Sequence, residues 1–263
     1  MERPVALLVP VHNDPGGILH SLRHLPGEVP LDVVVVDDGS DPPLHLPEIA
    51  PPHRVYLLRL SENRGIAEAL NAGVEWILQR GYPYLARLDA GDLALPGRFL
   101  RQLAFLETRP QHALVGGQVE FVDESGRLLY RERYPEDYAD LHRRMHLKNC
   151  FIHPAVMLRT AVLRELGPYR TDFPAAEDYE LFFRIVRKYP AANLPETVVR
   201  VRVSPKGISA RHRRRQLLTR LAVQLRYFDP RLWESYAGVL ATLGLLVLPA
   251  GLIRAFKRRV GGG

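Results

Sequence analysis

Four short apolar runs, each closed by small polar and acidic residues, constrain the fold of this chain more than any other feature. They are Val5–Val11, Leu31–Val36, Val55–Leu60 and Tyr84–Leu88. Each is continuous rather than alternating, which is the pattern of a strand covered on both faces in a parallel sheet. Parallel strands need crossovers. Asp14-Pro15 supplies an N-cap and a first-turn proline for a helix through about Leu25. After the third run, Ile66, Ala69, Leu70, Gly73, Val74 and Ile77 recur at helical spacing, and Pro96 opens a helix carrying Phe99, Leu100, Leu103 and Leu106. The chain therefore reads as βαβ units in one α/β domain.

Beyond Arg109-Pro110 the rhythm changes. Leu114–Val122 and Arg127–Arg133 flank Asp123-Glu124-Ser125-Gly126, a turn sequence for a β-hairpin, so the sheet becomes mixed. Helical patterns return near 136–147, 160–166 and 178–189, and a strand of alternating Val and Arg runs from Val198 to Val203. With 46% hydrophobic and 25% charged residues, disorder throughout, collagen and coiled coil are excluded. Domain boundaries are expected at 1–209 for the α/β domain and 210–263 for a basic, partly hydrophobic helical appendage.

In open α/β sheets, ligands bind beyond the carboxyl ends of the parallel strands. Those ends here are Pro10-Val11-His12-Asn13, Asp37-Asp38-Gly39-Ser40, Ser61-Glu62-Asn63-Arg64-Gly65 and Asp89-Ala90-Gly91-Asp92. Any one of them is an ordinary loop former. Four on one rim point to a site. Asp89 and Asp92, three residues apart on a tight turn, suit a hard divalent cation whose other positions are water and substrate phosphate oxygens. The alternative for Asp92 is to cap the helix that follows.

Val-Pro-Val-His-Asn, Val-Val-Asp-Asp-Gly-Ser, Asn-Arg-Gly-Ile-Ala-Glu-Ala-Leu-Asn-Ala-Gly and Leu-Asp-Ala-Gly-Asp, in this order, resemble the family 2 glycosyltransferases of GT-A fold. The resemblance continues through His153-Pro154-Ala155-Val156-Met157, Ala176-Glu177-Asp178-Tyr179-Glu180 and Asn193-Leu194-Pro195-Glu196, covering roughly residues 4 to 209. It implies a single GT-A (Rossmann-like) domain and transfer of a sugar, with inversion, from a nucleoside diphosphate donor (UDP, GDP or dTDP) to a hydroxyl of a glycan or lipid-linked acceptor. It implies that Pro10, His12 and Asn13 lie along the base and ribose, that Asp38 reads the base edge, and that Asn63, Arg64, Gly65, Asn71 and Asp89 bind the nucleotide. Asp89 and Asp92 would hold Mg²⁺ or Mn²⁺. Asp178 would be the catalytic base, with Glu177 as the fallback; at a helix start, both could instead simply favour the helix dipole.

Two positions depart from the family pattern. The family commonly has Asp-x-Asp-Asp where this chain has Gly91 in third place, and a histidine where it has Ser204. Arg64, Arg87 or Lys206 are then candidates for positive charge beside the diphosphate. His153 is as readily structural as catalytic. Cys150, the single cysteine, excludes an intramolecular disulfide and reads as a buried small residue rather than a nucleophile. Trp76, Tyr179, Phe182 and Phe183 read as packing.

Charge separates the two regions. Residues 1–199 hold 22 Lys/Arg against 27 Asp/Glu, and residues 200–263 hold 14 against 2. Arg211, Arg213, Arg214, Arg215, Arg220, Arg226 and Arg231 precede an uncharged stretch from Ser235 to Ile253, and Arg254, Lys257, Arg258 and Arg259 follow it. A basic flank on each side argues against a crossing, and favours an interfacial segment on an anionic membrane surface. The protein is expected in the cytoplasm, peripheral on the inner face of the membrane. A helical pair packed on the domain, or on a second copy in a homodimer, is the alternative. Two rivals to the transferase remain. A nucleotidyltransferase needs a glycine-rich loop after the first strand, where this chain has His12-Asn13-Asp14-Pro15. A nucleic-acid-binding module needs base-reading residues among the tail arginines, where Leu, Ala and Gln prevail; nucleic acid is not an expected partner.

Overall fold

The computed structural model describes residues 3–46, 51–203 and 213–247. The four apolar runs form β1 (Val5–Val11), β2 (Asp32–Asp37), β3 (Arg54–Arg59) and β4 (Tyr84–Arg87), parallel to one another in the order β3-β2-β1-β4. The chain steps outward from β1 to β3 and then returns past β1 to β4, so the direction of winding reverses between β1 and β4. That reversal opens a crevice at their carboxyl ends.

Every residue of β1 and β2 is buried because both faces are covered. Val5, Leu7, Val9 and Val11 point to one side, against Ile18 and Leu22 of α1 (Pro15–Arg23) and Phe99 and Leu106 of α3 (Arg98–Thr108). Ala6 and Leu8 point to the other, with Leu70, Val74 and Ile77 of α2 (Ile66–Gln79) and with the apolar side of α6 (Glu177–Lys188). The third run differs from its expectation as a buried strand: β3 is the sheet edge and stays partly exposed. Tyr56 there packs on Trp76, ring centroids 4.8 Å apart, which gives Trp76 its packing role.

The sheet continues mixed, as expected. β8 (Met157–Arg159) runs antiparallel between β4 and β6 (Leu114–Val122), β7 (Leu128–Glu132) closes the hairpin on β6, and β9 (Ala191–Arg202) lies parallel to β6 with β5 (Leu93–Ala94) antiparallel on its outer side. β9 starts well before Val198, because register shifts opposite Gly117 and Gln118 absorb Pro195-Glu196 within the strand. α4 (Tyr138–Arg144) and α5 (Thr160–Leu166) complete the domain.

The tail forms α7 (Arg213–Arg226) and α8 (Trp233–Val247). One face of this pair packs on the domain rather than on lipid. Gln224 donates to the Leu147 carbonyl (2.9 Å), Thr242 donates to Gln224 Oε1 (2.8 Å), and Tyr227 donates to Glu180 of α6 (2.6 Å). A Cβ on Gly238 would lie 2.0 Å from the His146 carbonyl oxygen, so only glycine allows this approach. The expected 209/210 boundary, Ser204, Lys206, Arg211, Arg254, Lys257, Arg258, Arg259 and residues 248–253 of the uncharged stretch lie outside the described residues. Among the described residues, no helix is long and apolar enough to cross a membrane.

Candidate active site

The first three strand ends are tied together by their own side chains. His12 Nδ1 donates to the Asp38 carbonyl (2.8 Å) and its Nε2 accepts from Asn13 Nδ2 (3.0 Å). Asn13, at φ 52°, donates its N–H to Ser40 Oγ (2.9 Å) while its Oδ1 accepts from Asp41 N (2.9 Å). Buried Asp38 accepts the N–H of Arg64 on one oxygen (2.8 Å) and of Gly65 on the other (2.9 Å), leaving each oxygen one further lone pair for a ligand. Gly39, at φ 66°, lets the chain pass so close that a Cβ would sit 2.3 Å from the Glu62 carbonyl carbon. Pro10 is buried in β1, while His12, Asn13, Asn63 and Arg64 are exposed around this rim. Asn71 is engaged across the fold. Its amide donates to the Tyr169 carbonyl (2.8 Å) and accepts the Tyr169 N–H (2.9 Å), so it positions the loop before α6 and keeps one N–H and one lone pair for a further partner.

At the end of β4, Arg87 is fully buried, and four of its five N–H groups are engaged. Its guanidinium donates to the Leu8 and Leu88 carbonyls (2.8 and 2.7 Å), to His153 Nε2 (3.1 Å) and to Asp89 Oδ1 (2.5 Å). Burial, and then the Arg87 charge, hold the His153 imidazole well below its ordinary pKa, and the Tyr169 hydroxyl lies 2.9 Å from the same Nε2. His153 is thus a structural link. Asp89 keeps a partly open side chain, 43% exposed. Asp92 does not share a cation site with it. Asp92 is buried, its Oδ1 accepts the Arg202 N–H (2.9 Å), and burial followed by the Asp89 charge pushes its carboxyl well above the usual range. It does not cap the next helix either, since Gly97 takes that place. Ser21 of α1 pins the loop between them, accepting the Gly91 N–H (2.9 Å) and donating to the Asp92 carbonyl (2.7 Å). Gly91, at φ 94°, has no side chain to offer, and a Cβ there would meet Arg202 Nη2 at 2.6 Å. The donor set is therefore one carboxylate oxygen with a guanidinium beside it, which does not fit an aspartate-held cation; among the described residues no three His, Cys, Asp or Glu side chains gather to hold one.

Across the crevice, α6 begins with Glu177 and Asp178. Asp178 is half-buried and accepts from Asn149 Nδ2 (3.0 Å). Burial first, then the charge of Asp89, raises its carboxyl to about 6, although backbone N–H groups at the helix start work against the rise. Glu177 is 7% exposed, its Oε2 has no hydrogen-bond partner, and burial followed by the Asp178 charge raises it to about 7. The three carboxylates Asp89, Glu177 and Asp178 and the Arg87 guanidinium thus lie within electrostatic reach of one another. Tyr179 is buried with its hydroxyl on the Met145 carbonyl, so it packs. Buried Cys150, its thiol pushed up to about 12 chiefly by burial, is no nucleophile. Arg64, exposed and 3.8 Å from Glu62, stands on the rim.

Sequence reasoning missed Tyr169, Asn149 and Arg202. Arg202 had a signal, because a strand reading Val-Val-Arg-Val-Arg places its arginines on one side, and Gly91 left space for one of them.

A sequence model described as glycosyl transferase family 2 matches residues 7–167. The chain is 33% identical over 158 residues to the amylovoran biosynthesis glycosyltransferase AmsE of Erwinia amylovora, covering 60% of this chain and 58% of that one. It is 27% identical over 166 residues to the O-antigen biosynthesis glycosyltransferase WbnJ of Escherichia coli, covering 62% of each. The chain thus spans about three fifths of these relatives. Among solved structures, the mannosyltransferase PcManGT of Pyrobaculum calidifontis, in complex with GDP-Man and Mn²⁺, superposes with a TM-score of 0.64 at 19% identity over 100% of this chain and 77% of that one. S. aureus TarS in complex with UDP-GlcNAc gives 0.63 at 14% identity, covering 91% and 71%. At these identities the likeness is one of fold, the GT-A fold.

Proposed function

The chain belongs to glycosyl transferase family 2, and on that premise we propose that it transfers a sugar, with inversion, from a nucleoside diphosphate donor to a hydroxyl of a glycan or lipid-linked acceptor in the building of a surface polysaccharide. The observation that carries this reading is the convergence of the α6 carboxylates with the Arg87–Asp89 pair at the crevice where the sheet reverses. The nucleoside lies along His12, Asn13 and the Asp38-held loop of Asn63–Gly65, with the diphosphate toward Asp89. Asp178 accepts the proton of the acceptor hydroxyl while the oxygen bonds to the anomeric carbon. The bond to the diphosphate breaks on the opposite face, and its electron pair leaves with the phosphate. A carboxylate raised to about 6 is largely ionised at neutral pH yet more basic than an exposed one, which suits this step. Glu177 is the fallback, held deeper. The solved mannosyltransferase contains Mn²⁺; here Asp92 of the expected Asp89–Asp92 pair is buried while Asp89 is partly open. The test is a transfer assay with UDP-, GDP- and dTDP-sugars. Turnover in Asp178→Asn equal to that of the unaltered enzyme would remove Asp178 from the mechanism, and no transfer or hydrolysis of any donor would sink the reading.

The helix pair supports membrane-surface attachment. In α8 the small and polar residues are turned inward, Ser235 and Gly238 against His146 of the domain and Thr242 against Gln224 of α7. Trp233 (67% exposed), Tyr236, Leu240 (67%), Leu243 and Val247 (83%) form an apolar row facing outward. Arg214 and Arg215 at the start of α7 are exposed. An apolar row with arginines on the adjoining helix is the chemistry of an anionic lipid surface, each basic residue there contributing on the order of 1 kcal/mol. Sedimentation with phosphatidylglycerol vesicles should fall with salt and in Leu240→Glu/Leu243→Glu, which alters only exposed positions. Equal recovery of both proteins would refute the attachment.

A further inference from the structure

Resting on the transferase reading above, we infer that Arg202 is a diphosphate-binding residue: its guanidinium fills the volume that a side chain on residue 91 would take, and supplies the positive charge for the leaving diphosphate. Three observations place it there. The first is the Gly91 contact, in which a Cβ would stand 2.6 Å from Nη2 and 3.1 Å from both Cζ and Nε, so that this edge of the guanidinium overlies the loop. The second is anchoring. The Arg202 N–H is held by buried Asp92, and the loop beneath it is pinned by Ser21, so the guanidinium projects from fixed backbone on both sides. The third is its setting. The side chain is 32% exposed and its guanidinium lies 3.7 Å from Asp14, the N-cap of α1, an open contact that a phosphate can displace.

The charge balance requires such a group. Asp89, Glu177 and Asp178 make the crevice acidic, and a diphosphate brought among them needs a cation. Arg87 is already committed to Asp89, His153 and two carbonyls. A guanidinium offers N–H groups in a planar fork that matches phosphate oxygens. Asp92, expected as a metal ligand, becomes the positioning residue for Arg202, and Gly91 makes the space that admits it.

Calorimetric titration of UDP, GDP and dTDP in EDTA, and again with Mn²⁺, tests the inference, with the matching nucleoside monophosphates as controls. The unaltered protein should bind one diphosphate in EDTA and gain no more than about threefold from Mn²⁺. Arg202→Met should weaken that binding about tenfold to a hundredfold, the usual worth of a hydrogen bond to a charged group, with monophosphate affinity changed far less. Arg202→Lys, which keeps the charge and the backbone bond to Asp92, should fall between. Melting curves should show both variants folded, and the lysine variant carries the comparison should the methionine variant unfold. Unchanged diphosphate affinity in Arg202→Met, an equal loss for the monophosphate, or binding that vanishes in EDTA would each overturn the role of Arg202 and leave the transferase reading standing. If the unaltered protein binds no diphosphate under either condition, the transferase reading falls and this inference falls with it.

Discussion

Glu177→Gln should make this protein more stable at pH 8 and no more stable at pH 4.5. The native carboxyl is raised from 4.5 to about 7, by burial first and the Asp178 charge second, and its Oε2 lacks a partner. An acid whose native pKa lies above its unfolded value folds without penalty while both states are protonated, below about 4.5. Stability is lost progressively as pH rises between 4.5 and about 7, and the full penalty stands above that. At 1.36 kcal/mol per pKa unit, the rise sets a ceiling of about 3 kcal/mol. Asp178 shares the interaction and titrates with it, so about 1–2 kcal/mol is the expected gain on neutralising Glu177 alone. For a chain of this size that corresponds to roughly 2–4 °C in Tm. Gln is the right substitution because it keeps the shape of the protonated acid. Thermal denaturation of both proteins at half-unit steps from pH 4.5 to 8 reads the effect directly. A difference in Tm that stays constant with pH, or a glutamine variant less stable at pH 8, would refute the electrostatic account of this helix start.

Other outcomes follow from the same geometry. Transfer should rise with pH through about 6 as Asp178 loses its proton, and in Asp178→Asn that rise should disappear along with turnover while nucleotide affinity stays within about threefold. Asp38→Ala removes the acceptor of the Arg64 and Gly65 N–H groups, so it should cost about 1–3 kcal/mol in stability and weaken nucleotide binding through a loosened Arg64–Gly65 loop; an unchanged dissociation constant would end its site role. Gly238→Ala should unseat the helix pair, seen as faster amide exchange in 213–247 with the parallel sheet still protected; unaltered exchange would contradict the 2.0 Å approach to the His146 carbonyl.

Burial on both faces leaves a mark that sequence can carry, and so β1, β2 and β4, the helices between them and the polar strand ends were legible from residue pattern. So was the meeting of the four strand ends on one rim, because the direction of parallel strands decides it. The family resemblance likewise identified the GT-A fold. What only the tertiary structure decided is how the individual polar groups are used. Asn71 closes on Tyr169 across 98 residues, and Asp92 on Arg202 across 110. Asp89 and Asp92, three apart in the chain, were separated because one faces the crevice and the other faces the interior. The tail shows the same limit. Its composition marked an apolar, basic appendage, but which side of α8 meets the domain depended on small residues at 235, 238 and 242 fitting against His146 and Gln224. Hydrophobic pattern reports whether a residue is covered, and hydrogen-bond geometry, fixed to tenths of an ångström by packing between distant segments, decides what its polar atoms touch.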